Sequence, residues 1–118
     1  MQAPLTPERL AATYDYLRTW PPFCRWGLPV SDEIRFRTTE RKDLCGQFKP
    51  DPLEIMVSTS LHWKMESLIQ TMAHEVIHLH QHLAKTENRS QHNAEFKRIA
   101  KAICKQYGWD CGQFVGGV

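Results

Sequence analysis

The sequence predicts an α+β fold in which helices pack on a small sheet. Three observations carry that expectation. Apolar residues recur three or four apart near the N-terminus and again through residues 62–85 and 92–107, which is helical spacing. Between the first two of these segments Ile34 and Phe36 alternate with Arg35 and Arg37, the period of two that marks a half-buried strand. The turn signal "KPDP" then separates two more short stretches rich in apolar and branched residues. A chain of 118 residues, 42% of them hydrophobic, has material for one core of ordinary size, so a single domain over 1–118 is expected.

Each element has a local reason. In "LTPERL", Thr6 is suited to cap a helix and Pro7 to open it, since the N–H that proline lacks would go unbonded there in any case. Leu10, Tyr14 and Leu17 share one face of this helix, which is expected to close at Trp20 ahead of two prolines. "FCRWGLPVSD" reads as an irregular connector carrying buried aromatics. "EIRFRTT", "DLCGQFKPDP" and "LEIMVSTS" are three strands, and the serine-threonine run that ends the last is suited to cap a helix after it. The longest helix is expected from about His62 to Lys85, with Leu61, Met65, Leu68, Ile69, Met72, Val76 and Leu79 as its apolar positions. After the polar break "TENRSQ", a returning helix from about His92 to Tyr107 turns Phe96, Ile99, Ala100 and Ile103 to the core. The glycine-rich tail "GWDCGQFVGGV" either docks by Trp109 and Phe114 or frays.

Composition removes several function classes. A net charge of +2 with 24% charged residues gives only a weak general pull toward nucleic acid or anionic lipid. No basic start leads into an apolar run, and no segment is apolar long enough to span a bilayer, so a cytoplasmic monomer without membrane attachment is expected. Cys24, Cys45, Cys104 and Cys111 are expected to be free thiols, and the absence of any CxxC argues against a structural zinc ribbon.

The chemistry concentrates in "HEVIHLHQH", His74 to His82. With Leu68 set at zero and about 100° per residue, His74 and His78 fall at about 240° and about 280°, one turn apart and away from the apolar stripe. Two imidazoles so placed can converge on one ion. His80, at about 120°, points elsewhere; His82, at about 320°, could in direction alone pair with His78. The chemistry favours the first pair, because Glu75 stands beside His74, where a carboxylate can take a proton from a metal-activated water without becoming a ligand. Leu79, in the same relation to His78, cannot. Ser67 and Thr71 share the direction of the ligands and are candidates to line a cleft.

A catalytic zinc takes three protein ligands and keeps one place for solvent. His92 is the expected third ligand, since the break is long enough to bring the returning helix back to the site. Glu95, one turn further on, is the carboxylate alternative. The pattern HExxHxxGxxH is excluded, because Gln81 and Ala84 stand where it requires glycine and histidine.

Through "TMAHEVIHLHQH" and "HNAEFKRIAKAI" the sequence resembles the SprT-like (Spartan-type) zinc metallopeptidases, and "CGQFKPDPLEIMVSTSL" resembles the strand pair that precedes the active-site helix in that family. The resemblance implies a zincin fold, Zn2+ as cofactor, His74, His78 and His92 as its ligands, Glu75 as the catalytic residue, and protein or peptide substrates. Asn93 stands where members often have glycine, and the zinc ribbon many carry is not found in this sequence. The family's association with DNA therefore rests here on Lys97, Lys101 and Lys105, a basic stripe able to touch phosphate that a solvated helix face, the favoured reading, explains equally simply. The competing reading is a non-catalytic zinc-bearing binding or regulatory domain, against which Glu75 argues. "LCGQF", with Gly46 permitting close approach, is the candidate substrate lip, and Tyr107 the one named candidate for a transition-state donor.

Overall fold

A computed structural model describes residues 5–61, 64–88 and 90–116. Thr6 caps the first helix through its hydroxyl oxygen, which accepts from the Arg9 N–H at 3.2 Å, and α1 runs Pro7–Leu17. It ends one turn earlier than Trp20, because residues 18–20 tighten into turns closed on Tyr16 and Leu17 carbonyls. Leu10, Tyr14 and Leu17 are buried as their spacing implies. The connector forms two 3-10 turns, Phe23–Arg25 and Ser31–Glu33, and is tied back to α1 by the Tyr14 hydroxyl, which donates to the Pro29 carbonyl at 2.6 Å.

Three strands follow: β1 (Arg35–Thr39), β2 (Gly46–Pro50) and β3 (Leu53–Ser58). Their order across the sheet is β1-β3-β2, with β1 parallel and β2 antiparallel to β3. The hairpin from β2 thus inserts β3 in the centre and leaves β2 at an edge. Register aligns Phe36 and Phe48 on either side of Ile55, and this row, with fully buried Val57, faces the helices. The other face carries Arg35, Arg37 and Lys49 around Glu54, at 3.7 to 3.9 Å, so the 5% exposed carboxylate sits among three cations.

The helix α2 runs Met65–Ala84. The start expected at His62 lies outside the described residues, as does Trp63. The serine-threonine run does not cap it: Ser58, Thr59 and Ser60 hydroxyls donate to the carbonyls of Arg41, Thr39 and Glu40, pinning the strand end to the end of β1 and the loop beyond it. Leu68, Met72, Val76 and Leu79 are buried, but so are Thr71, His74, Glu75 and Gln81 on other faces. The helix is central, with the sheet and α1 against it on some sides and the last two helices on others.

The returning helix α3 runs Ala94–Tyr107. It begins two residues later than expected, because Asn93 is its cap, Oδ1 accepting from the Phe96 N–H at 2.9 Å. Phe96, Ala100 and Ile103 are buried with Cys104, while Ile99 is half-buried. Gly108, in the left-handed conformation at φ 73°, closes α3. The glycine-rich tail then folds into a further helix, α4 (Cys111–Gly116), capped by Asp110, whose Oδ1 accepts from the Gln113 N–H at 3.0 Å. None of the four cysteines is in a disulfide. Among the described residues no helix is long and apolar enough to cross a membrane.

Candidate metal centre

Helix α2 presents His74 and His78 one turn apart, and the segment just before α3 brings back His92. The three rings stand 4.9 to 5.3 Å apart, and one nitrogen from each lies within 4.8 Å of the others. His74 Nε2 and His92 Nε2 are 3.1 Å apart, close to the separation of two nitrogens sharing a tetrahedral zinc. Phe96 forms the floor beneath them, its ring 4.6 to 4.9 Å from all three imidazoles. That contact gives a physical reason for a phenylalanine four residues after the third histidine.

Hydrogen bonding fixes which nitrogen His74 offers. Its Nδ1 lies 2.9 Å from the carbonyl oxygen of Phe114 in α4. A carbonyl only accepts, so Nδ1 carries the proton and Nε2 turns a bare lone pair into the cluster. Burial then keeps the ring neutral: His74 is 2% exposed, and desolvation lowers its pKa to about 3, against the opposing pull of the Phe114 carbonyl. His78 is lowered to about 4, mainly by burial and then by His92, and His92 is lowered by burial and by Lys97. Uncharged imidazoles are the form a metal ion requires. Among the described residues, these three are the group of potential ligands that converge on one point.

A sequence model of the SprT-like family matches residues 16–112. The chain belongs to the SprT-like family. No curated protein matches it individually. The matched span takes in His74, Glu75, His78 and His92 but stops short of Phe114, whose carbonyl orients the first of them.

In this SprT-like chain the three histidines line a cleft of about 370 Å3, which is also lined by Leu44, Gly46 and Phe48 and by Glu87, Asn88, Ser90 and Gln91 of the α2–α3 loop. Glu75 lines it too, 2% exposed, and burial raises its pKa to about 8. Gly46 is where β2 meets α2. A methyl group there would stand 3.0 Å from the Met56 oxygen, 3.0 Å from Thr71 Cγ2 and 3.2 Å from Glu75 Oε2. Gly46→Ala is therefore expected to cost about 1 to 3 kcal/mol, as overpacking does. Urea unfolding of the metal-free protein checks this, and an unchanged midpoint would mean that the strand and helix are not held as closely as described.

The remaining candidates have other employment. His80 stacks on Trp26 at 4.1 Å between centroids, and His82 Nδ1 is 2.8 Å from Glu87 Oε1. Glu95 does not join the cluster; it accepts from Gln81 Nε2 at 2.9 Å. The Tyr107 hydroxyl donates to the Pro21 carbonyl, and the ring lies against Trp20 and Trp109, so it is no transition-state donor. Thr71 is buried against Gly46, whereas the Ser67 hydroxyl donates to the Lys64 carbonyl at 2.9 Å. Lys97, Lys101 and Lys105 are exposed along α3. His62 lies outside the described residues.

Three contributors were not singled out from sequence. The Phe114 carbonyl and the buried amide of Gln81 belong to residues with no ligand chemistry of their own. Asp110 carried the one local signal, an acidic residue ahead of "CGQF", that could have placed a helix there.

Proposed function

We propose that the protein is a zinc metallopeptidase of zincin-like fold that hydrolyses peptide bonds in protein or peptide substrates. The observation that carries this reading is a buried carboxyl, Glu75, beside but outside a group of three uncharged imidazoles at the wall of an open cleft. Three neutral nitrogen donors with room for solvent in the fourth position is a donor set that suits a catalytic zinc. Bound there, Zn2+ supplies Lewis-acid polarisation of a carbonyl and a water of lowered pKa.

The chain's own residues do the rest. In this reading Glu75 accepts the proton of the attacking water and delivers it to the leaving amine. Its burial-raised pKa of about 8 suits a group that must both take and give a proton near neutrality, and a neighbouring divalent charge shifts that balance toward the carboxylate. The edge strand β2 offers the substrate its backbone. The Cys45 carbonyl accepts from the Ser58 N–H at 2.8 Å, so by antiparallel alternation the groups of Cys45, Gln47 and Lys49 turn to β3 and those of Gly46 and Phe48 to the open side. An extended peptide adding there would lie along the cleft that Glu87, Asn88, Ser90 and Gln91 also line.

Zinc-loaded protein is expected to cleave an unfolded protein, to stop when chelated and to resume when Zn2+ is restored. Fully loaded protein that leaves both an unfolded protein and a peptide library intact would favour a non-catalytic zinc-binding domain.

A further inference from the structure

Gln81 lies three residues beyond His78 on α2, with its side chain 2% exposed at the cleft wall. A buried amide is costly unless it is hydrogen-bonded. Here Nε2 donates twice, to Asn93 Oδ1 at 3.0 Å and to Glu95 Oε1 at 2.9 Å. Asn93 Oδ1 also accepts the Phe96 N–H as the cap of α3, and Asn93 Nδ2 donates to the Thr86 carbonyl at 3.2 Å. One side chain of α2 thus fastens the first turn of α3, and through Asn93 the loop that leads to it.

The residue between that loop and that cap is His92. It lies outside α3, so no intrahelical bond sets its position, and its ring is only half-buried. Phe96, the floor under the three imidazoles, hangs from the same cap. A leucine or methionine would fill the volume of Gln81 but could not hold two acceptors at once. The geometry points to Gln81 as the positioning residue of the metal centre: its amide fixes the start of α3 and so sets His92 opposite His74 and His78, without itself binding the ion. This inference rests on the metal-site reading above.

The test is Gln81→Met in the full chain, which keeps the length of the side chain and removes the amide. Zn2+ affinity is measured by chelator competition, ligand geometry by the visible absorption of the Co2+-substituted protein, and folding by thermal unfolding without metal. We expect Zn2+ affinity to fall about 10- to 100-fold, the range for residues that orient metal ligands, and the Co2+ bands to change in shape and intensity. Ile103→Val, a small loss in the buried face of α3, is the control for simple destabilisation and should lower the melting temperature while leaving affinity and spectrum as in the wild type. Should Gln81→Met fail to fold, Glu95→Ala, at a half-exposed position, removes one of the two acceptors and is expected to weaken Zn2+ binding several-fold. Wild-type affinity and spectrum in the folded variant would overturn the positioning role and leave the metal centre standing, as would a loss that Ile103→Val reproduces. Wild-type protein that binds no Zn2+ would instead overturn the metal-site reading beneath it.

Discussion

Glu75→Gln is expected to keep its metal and to hydrolyse peptide bonds about 10²- to 10⁴-fold more slowly than the wild type, the usual contribution of a positioned general base. The glutamine amide has the shape of the carboxyl and so fits the same space beside Gly46, where even an added methyl group would stand 3.2 Å from Glu75 Oε2. The three imidazoles are untouched, because Glu75 is not among the converging ligands. What is lost is the ability to accept a proton. Metal analysis beside a cleavage assay separates the two effects, and undiminished turnover in the glutamine variant would remove Glu75 from the mechanism.

The same substitution has a second signature, in the stability of the metal-free protein. Burial holds the folded-state pKa of Glu75 at about 8, while the unfolded chain releases that proton near the ordinary 4.5. A folded pKa raised above the unfolded one means stability that is complete below about pH 4.5 and is lost as the pH climbs through about 8. Glutamine stays neutral throughout. The variant should therefore match the wild type near pH 4 and exceed it above pH 8 by on the order of 4 kcal/mol. Urea midpoints measured across that range check the sign. Parallel curves for the two proteins would show that Glu75 ionises as if in water.

Much of the centre was legible because helical periodicity converts spacing into direction. The four-residue interval between His74 and His78 fixes both rings on one face of α2, whatever surrounds the helix. His92 was accessible only as a matter of chain length and residue type, and its placement before the cap of α3, rather than within the helix, depends on Asn93 competing for the N–H of Phe96. The strands were legible from alternation, but their order was not: nothing local says that β3 lies between β1 and β2, since that is decided by which strand α2 and α1 cover. Glycines at 112 and 116 disguised α4, and so the carbonyl of Phe114 as partner of His74 could not be foreseen. Serine and threonine at 58–60 illustrate the opposite error. Their hydroxyls do bond backbone groups, but the carbonyls they meet belong to the end of β1 and the loop after it, not to a helix end.

Saturating Zn2+ is expected to raise the melting temperature of the wild type by on the order of 15 °C and to leave His92→Ala unmoved. An ion that binds only the folded state at about 1,000 times its Kd stabilises by about 4 kcal/mol. In a chain of this size each kcal/mol is worth about 4 °C. His92 is the better of the three histidines to replace, because its ring is half-buried outside α3, whereas loss of the buried His74 ring would also leave the Phe114 carbonyl without its donor. The shift should also resist acid. Folded His74 and His78 stay neutral down to about 3 and about 4, so a metal ion competes with few protons for them at pH 5.5, where ordinary imidazoles near 6.5 are mostly charged. Those depressed values cut the other way for the metal-free protein: the unfolded chain takes up protons below about pH 6.5 that the folded chain refuses, so stability drops as the pH falls toward 4. Melting curves with and without Zn2+ at pH 7.5 and 5.5 test both statements together. A zinc-induced shift present at pH 7.5 and lost at pH 5.5 would mean that the histidines are solvated, and an equal shift in His92→Ala would take that residue out of the coordination group.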